Sequence, residues 1–179
     1  MSIIDKVKDI VRERCTDEWD WTHISNVVKH SKILAKKLNA DEEIAEIGAW
    51  LHDITRITGD KDNHHITGAK EAEKILLELD YPKDRIEKVK HCIIAHRGNV
   101  KQQIKRETKE ADCVASADAM THFDTIAHLL YLVYTKKGLS LEDGKRWVLD
   151  KLIRSWNKMI PEAKELCKEK YKAAKIILS

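Results

Sequence analysis

Ala49-Trp50-Leu51-His52-Asp53-Ile54 is an apolar run that closes on two adjacent ionisable side chains. Desolvating such a pair is costly unless a partner compensates it, and a divalent cation is one such partner. With nine histidines in 179 residues, about one His-Asp pair arises by chance, so the pair decides nothing alone. It needs companions on neighbouring elements.

Outward from this stretch, helical spacing fills the chain. Only two prolines and six glycines punctuate it, and the pattern reads as all-α. Ile3, Ile4, Val7, Ile10 and Val11 make one face of a first helix ending near Cys15. The acidic Thr16-Asp17-Glu18-Trp19-Asp20-Trp21 is expected to be a connector, with Asp20 or Thr22 capping the next helix, which runs to about Leu38. Asp41 caps a shorter helix ending at His52-Asp53, and the polar residues Thr55 to Asn63 read as a loop. A helix follows from His64 to Leu79, and Pro82 opens another, which ends at Arg97-Gly98-Asn99. Lys101-Gln102-Gln103-Ile104-Lys105-Arg106 reads as a solvated basic loop, and a helix starts near Thr108. Three more helices complete the chain, the first ending at Gly138, the second capped by Ser140 and the last beginning after Pro161.

The length suits one domain. Residues 1–18 read as an N-terminal helix packing on it, 19–124 as the core and 125–179 as helices completing the same unit. Net charge is +3 with lysine and glutamate interleaved, which offers no electrostatic footprint for a nucleic-acid polymer. No apolar run approaches the ~20 residues that span a bilayer, and the charged N-terminus is unlike a secretory signal. Cys15, Cys92, Cys113 and Cys167 form no Cys-x-x-Cys pair, so neither a zinc knuckle nor a disulfide framework is expected. A reducing cytoplasm is the expected location. Trp147 and Trp156 on late helices suggest a homodimer surface.

Stepping at about 100° per residue tests which polar side chains face the core. His65 falls within about 20° of Ala72 and Leu76, whereas His64 falls roughly 80° from Ala72, on the flank. His96 lies within about 20° of Val89, while His91 points to the opposite side. His52 shares a face with Ala45 and Ala49, Asp118 with Ala111 and Ala115, and His23 with Val27, Ser31 and Leu34. Five helices each aim a histidine or aspartate inward, which packing alone does not explain.

The series His23-Ile24…Val27, Leu51-His52-Asp53-Ile54, His65-x-x-Gly68-Ala69, Ile93-Ile94-Ala95-His96 and Ala117-Asp118 resembles the HD-domain superfamily of metal-dependent phosphohydrolases. Glu107-Thr108 belongs to the same likeness. The resemblance implies an HD-type helical bundle with a metal site in its core. His23, His52, Asp53 and Asp118 match the family's four-ligand set. His65 and His96 match the extra histidines of members holding two ions, with Asp53 as bridge. One or two divalent transition-metal ions are implied, from among Mn, Fe, Co, Ni and Zn, since mixed imidazole and carboxylate sites discriminate poorly among them. At Thr121 the chain departs from the family, where many members carry a second acid. His122, one helical turn after Asp118, is the candidate replacement.

The chemistry implied is hydrolysis of a nucleotide or other small phosphate ester by a metal-bound hydroxide. Asp53 would orient that water. Arg56 and Arg97 follow ligand helices and would clamp a phosphate. His30 and His122 are further candidates to face the pocket. Two alternatives stand beside this reading: a mixed-valent di-iron oxygenase, which a minority branch of the superfamily represents, and a non-catalytic binding or regulatory module. The tryptophans read as packing rather than as base-stacking platforms.

Overall fold

Helix starts are set by side-chain oxygens that satisfy free backbone amides. Ser2, Asp17, Asp41, Thr108 and Ser140 each accept a hydrogen bond from the amide three residues on. A computed structural model describes residues 1–97 and 104–178. Among them are nine α-helices and no strand: α1 (Ile3–Arg14), α2 (Glu18–Leu38), α3 (Glu42–Leu51), α4 (His64–Glu78), α5 (Lys83–Ala95), α6 (Lys109–Asp124), α7 (Ile126–Tyr131), α8 (Leu141–Lys158) and α9 (Pro161–Leu178). A π-helical turn, Leu132–Lys136, extends α7. The expected ends at Gly98 and Asn99, and Lys101 to Gln103 of the basic stretch, lie outside the described residues.

The expected connector at Thr16 to Trp21 is mostly helix. Asp17, not Asp20 or Thr22, caps α2, and its side chain accepts from the Asp20 amide. Glu18 and Asp20 then sit in the first turn, where carboxylates favour the helix dipole. Trp21 is thereby brought against Trp50 of α3, ring centroids 5.4 Å apart, beneath the Arg12 guanidinium. At the other end Asn39 takes the left-handed conformation that stops α2 (φ 50°).

Two apolar clusters form the interior. One joins α1 to α5 and part of α6, with Ile24, Ile47, Leu51, Leu76, Ile86, Ile93 and Val114 buried in it. The other joins α2 and α6 to the C-terminal helices through Leu34, Met120, Val133, Val148, Leu152 and Ala163. α2 and α6 pack side by side between the clusters, and α3 lies against α1, α2, α5 and α6. Gly48 permits that closeness. A Cβ there would stand 3.0 Å from Cys92 Cβ and 3.3 Å from Val114 Cγ2. The last turn of α3 is thus wedged between the helices that carry His96 and Asp118. Among the described residues no helix is long and apolar enough to cross a membrane.

Candidate metal centre

α3 stops at Leu51, and His52 and Asp53 follow at its C-terminal end, 0% and 4% exposed. The chain continues through tight turns, with the Ile57 amide bonded to the Asp53 carbonyl. α4 begins at His64, α5 ends just before His96, and α2 and α6 bring His23 and Asp118 from the side. Four of the six side chains therefore sit at helix ends.

Two groups of ligand-type atoms result, each within 4.8 Å of one another: His23, His52 and Asp118, and Asp53, His64 and His96. Asp53 faces both. Its Oδ2 lies 3.7 Å from His23 Nε2 and 3.6 Å from His52 Nε2. Its Oδ1 lies 3.5 Å from His64 Nε2 and 3.9 Å from His96 Nε2. Asp118 Oδ1 stands 3.5 Å from His23 Nε2. These gaps are long for hydrogen bonds. Two atoms each about 2.1 Å from one ion, at right to tetrahedral angles, are about 3.0–3.4 Å apart, close to the spacing seen.

The histidine tautomers fit cations as well. His52 Nδ1 is 2.7 Å from the Ala49 carbonyl, His96 Nδ1 2.6 Å from that of Ile93, and His64 Nδ1 3.1 Å from that of Lys61. Each Nδ1–H donates to a carbonyl three residues back, which leaves Nε2 as a lone pair aimed into the site. His52 Nε2 is buried with no hydrogen-bond partner. An orphaned buried acceptor of this kind is what a metal ion answers. Burial lowers His23 to about 4 and His96 to about 3, against the pull of nearby aspartates, so both imidazoles are neutral at pH 7. Burial alone would raise Asp53 and Asp118. The Arg56 guanidinium at Asp53 and the Lys158 ammonium at Asp118 outweigh it and hold both below the usual carboxylate range. The donor set, three neutral-type imidazoles, a fourth on α2 and two carboxylates, suits borderline divalent ions.

The family model for the HD domain matches residues 20–122, more than half of the chain. The chain belongs to the HD-domain family. No curated protein matches it. Among solved structures, this HD protein resembles Bacillus subtilis YpgQ at 23% identity and TM-score 0.72, over 94% of this chain and 88% of that one. A second structure, YpgQ in complex with ADP, matches at 22% and 0.67, over 93% and 90%. The Lin1889 protein of Listeria innocua matches at 20% and 0.70, over 99% and 94%. A predicted HD superfamily hydrolase from an uncultured Thermotogales bacterium matches at 22% and 0.55, over 82% and 83%. At these identities the likeness is one of fold.

The HD protein departs from its sequence-level expectations at three positions. His64, not His65, joins the second group. The helical wheel placed His65 on the stripe of Ala72 and Leu76, and it is buried. The site, however, lies past the N-terminal end of α4, toward which first-turn side chains lean, and Asp53 stands on His64's flank. Arg97 bonds the Asp62 carbonyl and approaches His65 Nδ1 at 3.5 Å, so it braces the loop before α4 rather than facing Asp53. His30 lies in a separate cluster, 2.5 Å from Asp124 Oδ2, whose other oxygen takes Lys170.

The structure places the remaining candidates as follows. Arg56 Nη1 stands 3.3 Å from Asp53 Oδ2 and 3.7 Å from Asp20 Oδ1, at a partly exposed mouth. His122 is beside the site, its ring stacked 6.1 Å from His23 and its Nδ1 2.9 Å from Ser155 Oγ. His91 points away and accepts from the Glu107 amide. Thr121 is buried and donates to the Ala117 carbonyl, so the position that bears an acid in many relatives is here a neutral, self-satisfied residue.

Two residues of α8 escaped the sequence reading. Lys158 Nζ lies 2.6 Å from Asp118 Oδ2, leaving Oδ1 to face His23. Lys151, half-buried, has its ammonium disfavoured by that burial and favoured by Asp118. The signal was present: Val148, Lys151, Leu152, Ser155 and Lys158 follow the inward spacing of an amphipathic helix, and two of the five are lysines.

Proposed function

We propose that this HD protein is a divalent-metal-dependent phosphohydrolase acting on a nucleotide or another small phosphate ester. One observation carries the reading: the two oxygens of Asp53 face two separate histidine groups, as a carboxylate shared between two ions would. His23, His52 and Asp118 would hold one ion, and His64 and His96 the other, with Asp53 between them. Bound divalent ions supply Lewis acidity toward a phosphoryl oxygen and lower the pKa of water at the site.

The chain's own groups do the rest. Asp53, kept ionised by the Arg56 guanidinium beside it, can accept a proton from water at the site. Arg56 at the mouth can meet an incoming phosphate with its free donors. Lys158 holds Asp118 by one oxygen and so fixes the direction of the other. The complex of YpgQ with ADP supports a nucleotide as ligand.

Purified protein given Mn²⁺, Co²⁺ or Ni²⁺ should release phosphate or pyrophosphate from members of a panel of nucleotides and simple phosphate esters, and the Asp53→Ala variant should not. Metal demonstrably bound, with no turnover on any ester, would overturn the reading.

A further inference from the structure

The four imidazoles of the centre are not held alike. His52 and His96 follow the C-terminal ends of α3 and α5, where the last carbonyls of a helix lack an amide partner. Their Nδ1 atoms meet the Ala49 and Ile93 carbonyls at 2.7 and 2.6 Å. His64 opens α4 and uses the Lys61 carbonyl before it. His23 instead lies in the second turn of α2, where the carbonyls of Trp19 and Asp20 serve the helix itself. Among the described residues its ring has no hydrogen-bond partner, and its Nε2 faces Asp53 and Asp118 at 3.7 and 3.5 Å.

What holds the His23 ring is a row of aromatic faces. Trp19 precedes it by one turn on the same side of α2, with ring centroids 6.4 Å apart. His128 of α7 lies flat on Trp19, centroids 3.2 Å apart and planes 2° from parallel. His122 of α6 also stacks on His23, at 6.1 Å, and its own Nδ1 is fixed 2.9 Å from Ser155 Oγ of α8. Rings about 4.5–7 Å apart attract, so the row resists rotation of His23. α7 is anchored in turn: Leu129 is buried among the C-terminal helices, and Tyr134, just beyond α7, packs on Gly144 of α8. Neither Trp19 nor His128 offers an atom to either ligand group.

We propose that Trp19, backed by His128, is a positioning residue for His23. The stacked pair takes the place of the carbonyl that orients each of the other three imidazoles, and so sets the affinity of the ion shared by His23, His52 and Asp118. Partners that orient a metal ligand are worth about 10–100-fold in metal affinity. The inference rests on the metal centre and not on ester hydrolysis. It gives α7, which supplies no ligand, a part in metal binding.

The test titrates the full chain, stripped with EDTA, with Mn²⁺ in competition with a chelator, and reads the affinity of each ion. Trp19→Ala should weaken one ion on the order of tenfold and leave the other within about twofold. The effect should persist in a His64→Ala background, where the other ion is lost. His128→Ala, which removes a group further from the centre, should weaken the same ion roughly threefold, the worth of one aromatic pair. Trp19→Phe and His128→Phe keep a ring in the row and should stay within about twofold of wild type. Equal weakening of both ions with a lowered thermal midpoint, unrescued by phenylalanine, would mean a packing role and overturn the assignment, as would no change in either ion. If Trp19→Ala does not fold, the two His128 variants decide alone. Wild type that binds no ion would overturn the centre and this inference with it. Ions bound without turnover would overturn only the phosphohydrolase reading.

Discussion

Lys158→Met is expected to act in opposite senses on stability and on metal affinity. Lys158 Nζ is 2.6 Å from Asp118 Oδ2, and both side chains are 14% exposed. Methionine keeps most of the apolar stem and deletes the charge, which leaves a buried carboxylate whose remaining close partner is a neutral imidazole, His23. Removing one member of a fully buried pair costs about 3–5 kcal/mol, and the residual exposure here brings the expectation to about 2–3 kcal/mol. That loss applies to protein stripped with EDTA. With a divalent ion at Asp118 Oδ1, the ion compensates the carboxylate and the loss should shrink to about 1 kcal/mol. By linkage, the difference appears as tighter metal binding by the variant, roughly tenfold for each 1.4 kcal/mol. Urea unfolding of stripped and Mn²⁺-loaded protein measures both states, and a competition titration measures the affinity. An equal loss in the two states, or no loss in either, would refute the pairing of Lys158 with a metal-ligating Asp118.

Two further outcomes concern the scaffold. Gly48→Ala gains about 1 kcal/mol of helix propensity but drives a methyl to 3.0 Å from Cys92 Cβ, where only a helix shift relieves it; with an overpacking cost of about 1–3 kcal/mol, the thermal midpoint should fall, and a rise would show that α3 has slack. Asp124 is 20% exposed on its side chain, and burial would raise it, but hydrogen bonds from His30 and Lys170 lower it to about 2. Its folded pKa lies below the unfolded value near 3.8, so it stabilises the fold above that pH and the contribution is lost as pH falls toward 2. Asp124→Asn should therefore lose about 2 kcal/mol at pH 7, and its gap to wild type in urea midpoints should close between pH 4 and pH 2. A gap that is constant with pH would contradict this.

The fold was legible because periodicity and caps agree. Asp41, Thr108 and Ser140 mark helix starts in the sequence and do so in the structure. The start of α2 was misplaced since Asp17 and Asp20 are both competent caps, and two tryptophans among acids resemble a linker until Trp21 is seen to pack on Trp50. At the site, His23, His52, Asp53, His96 and Asp118 were readable as inward-facing polar residues. The choice between His64 and His65 was not. A wheel reports direction about the helix axis, and the centre lies beyond the helix end, where position along the axis decides. Lys151 and Lys158 were overlooked for a related reason. Long flexible side chains reach a site from positions whose Cα lies well outside it, and lysines on a late amphipathic helix look like solvated charge until their neighbours are known.

Metal stoichiometry tests most directly whether His23, His52, Asp53, His64, His96 and Asp118 hold two ions, with His64 serving the second. Wild type, His64→Ala and His65→Ala are each loaded with Mn²⁺ or Ni²⁺, desalted and assayed by plasma mass spectrometry. About two ions per chain are expected in wild type and in His65→Ala, and about one in His64→Ala. Loss of an ion from His65→Ala with both retained in His64→Ala would contradict the account.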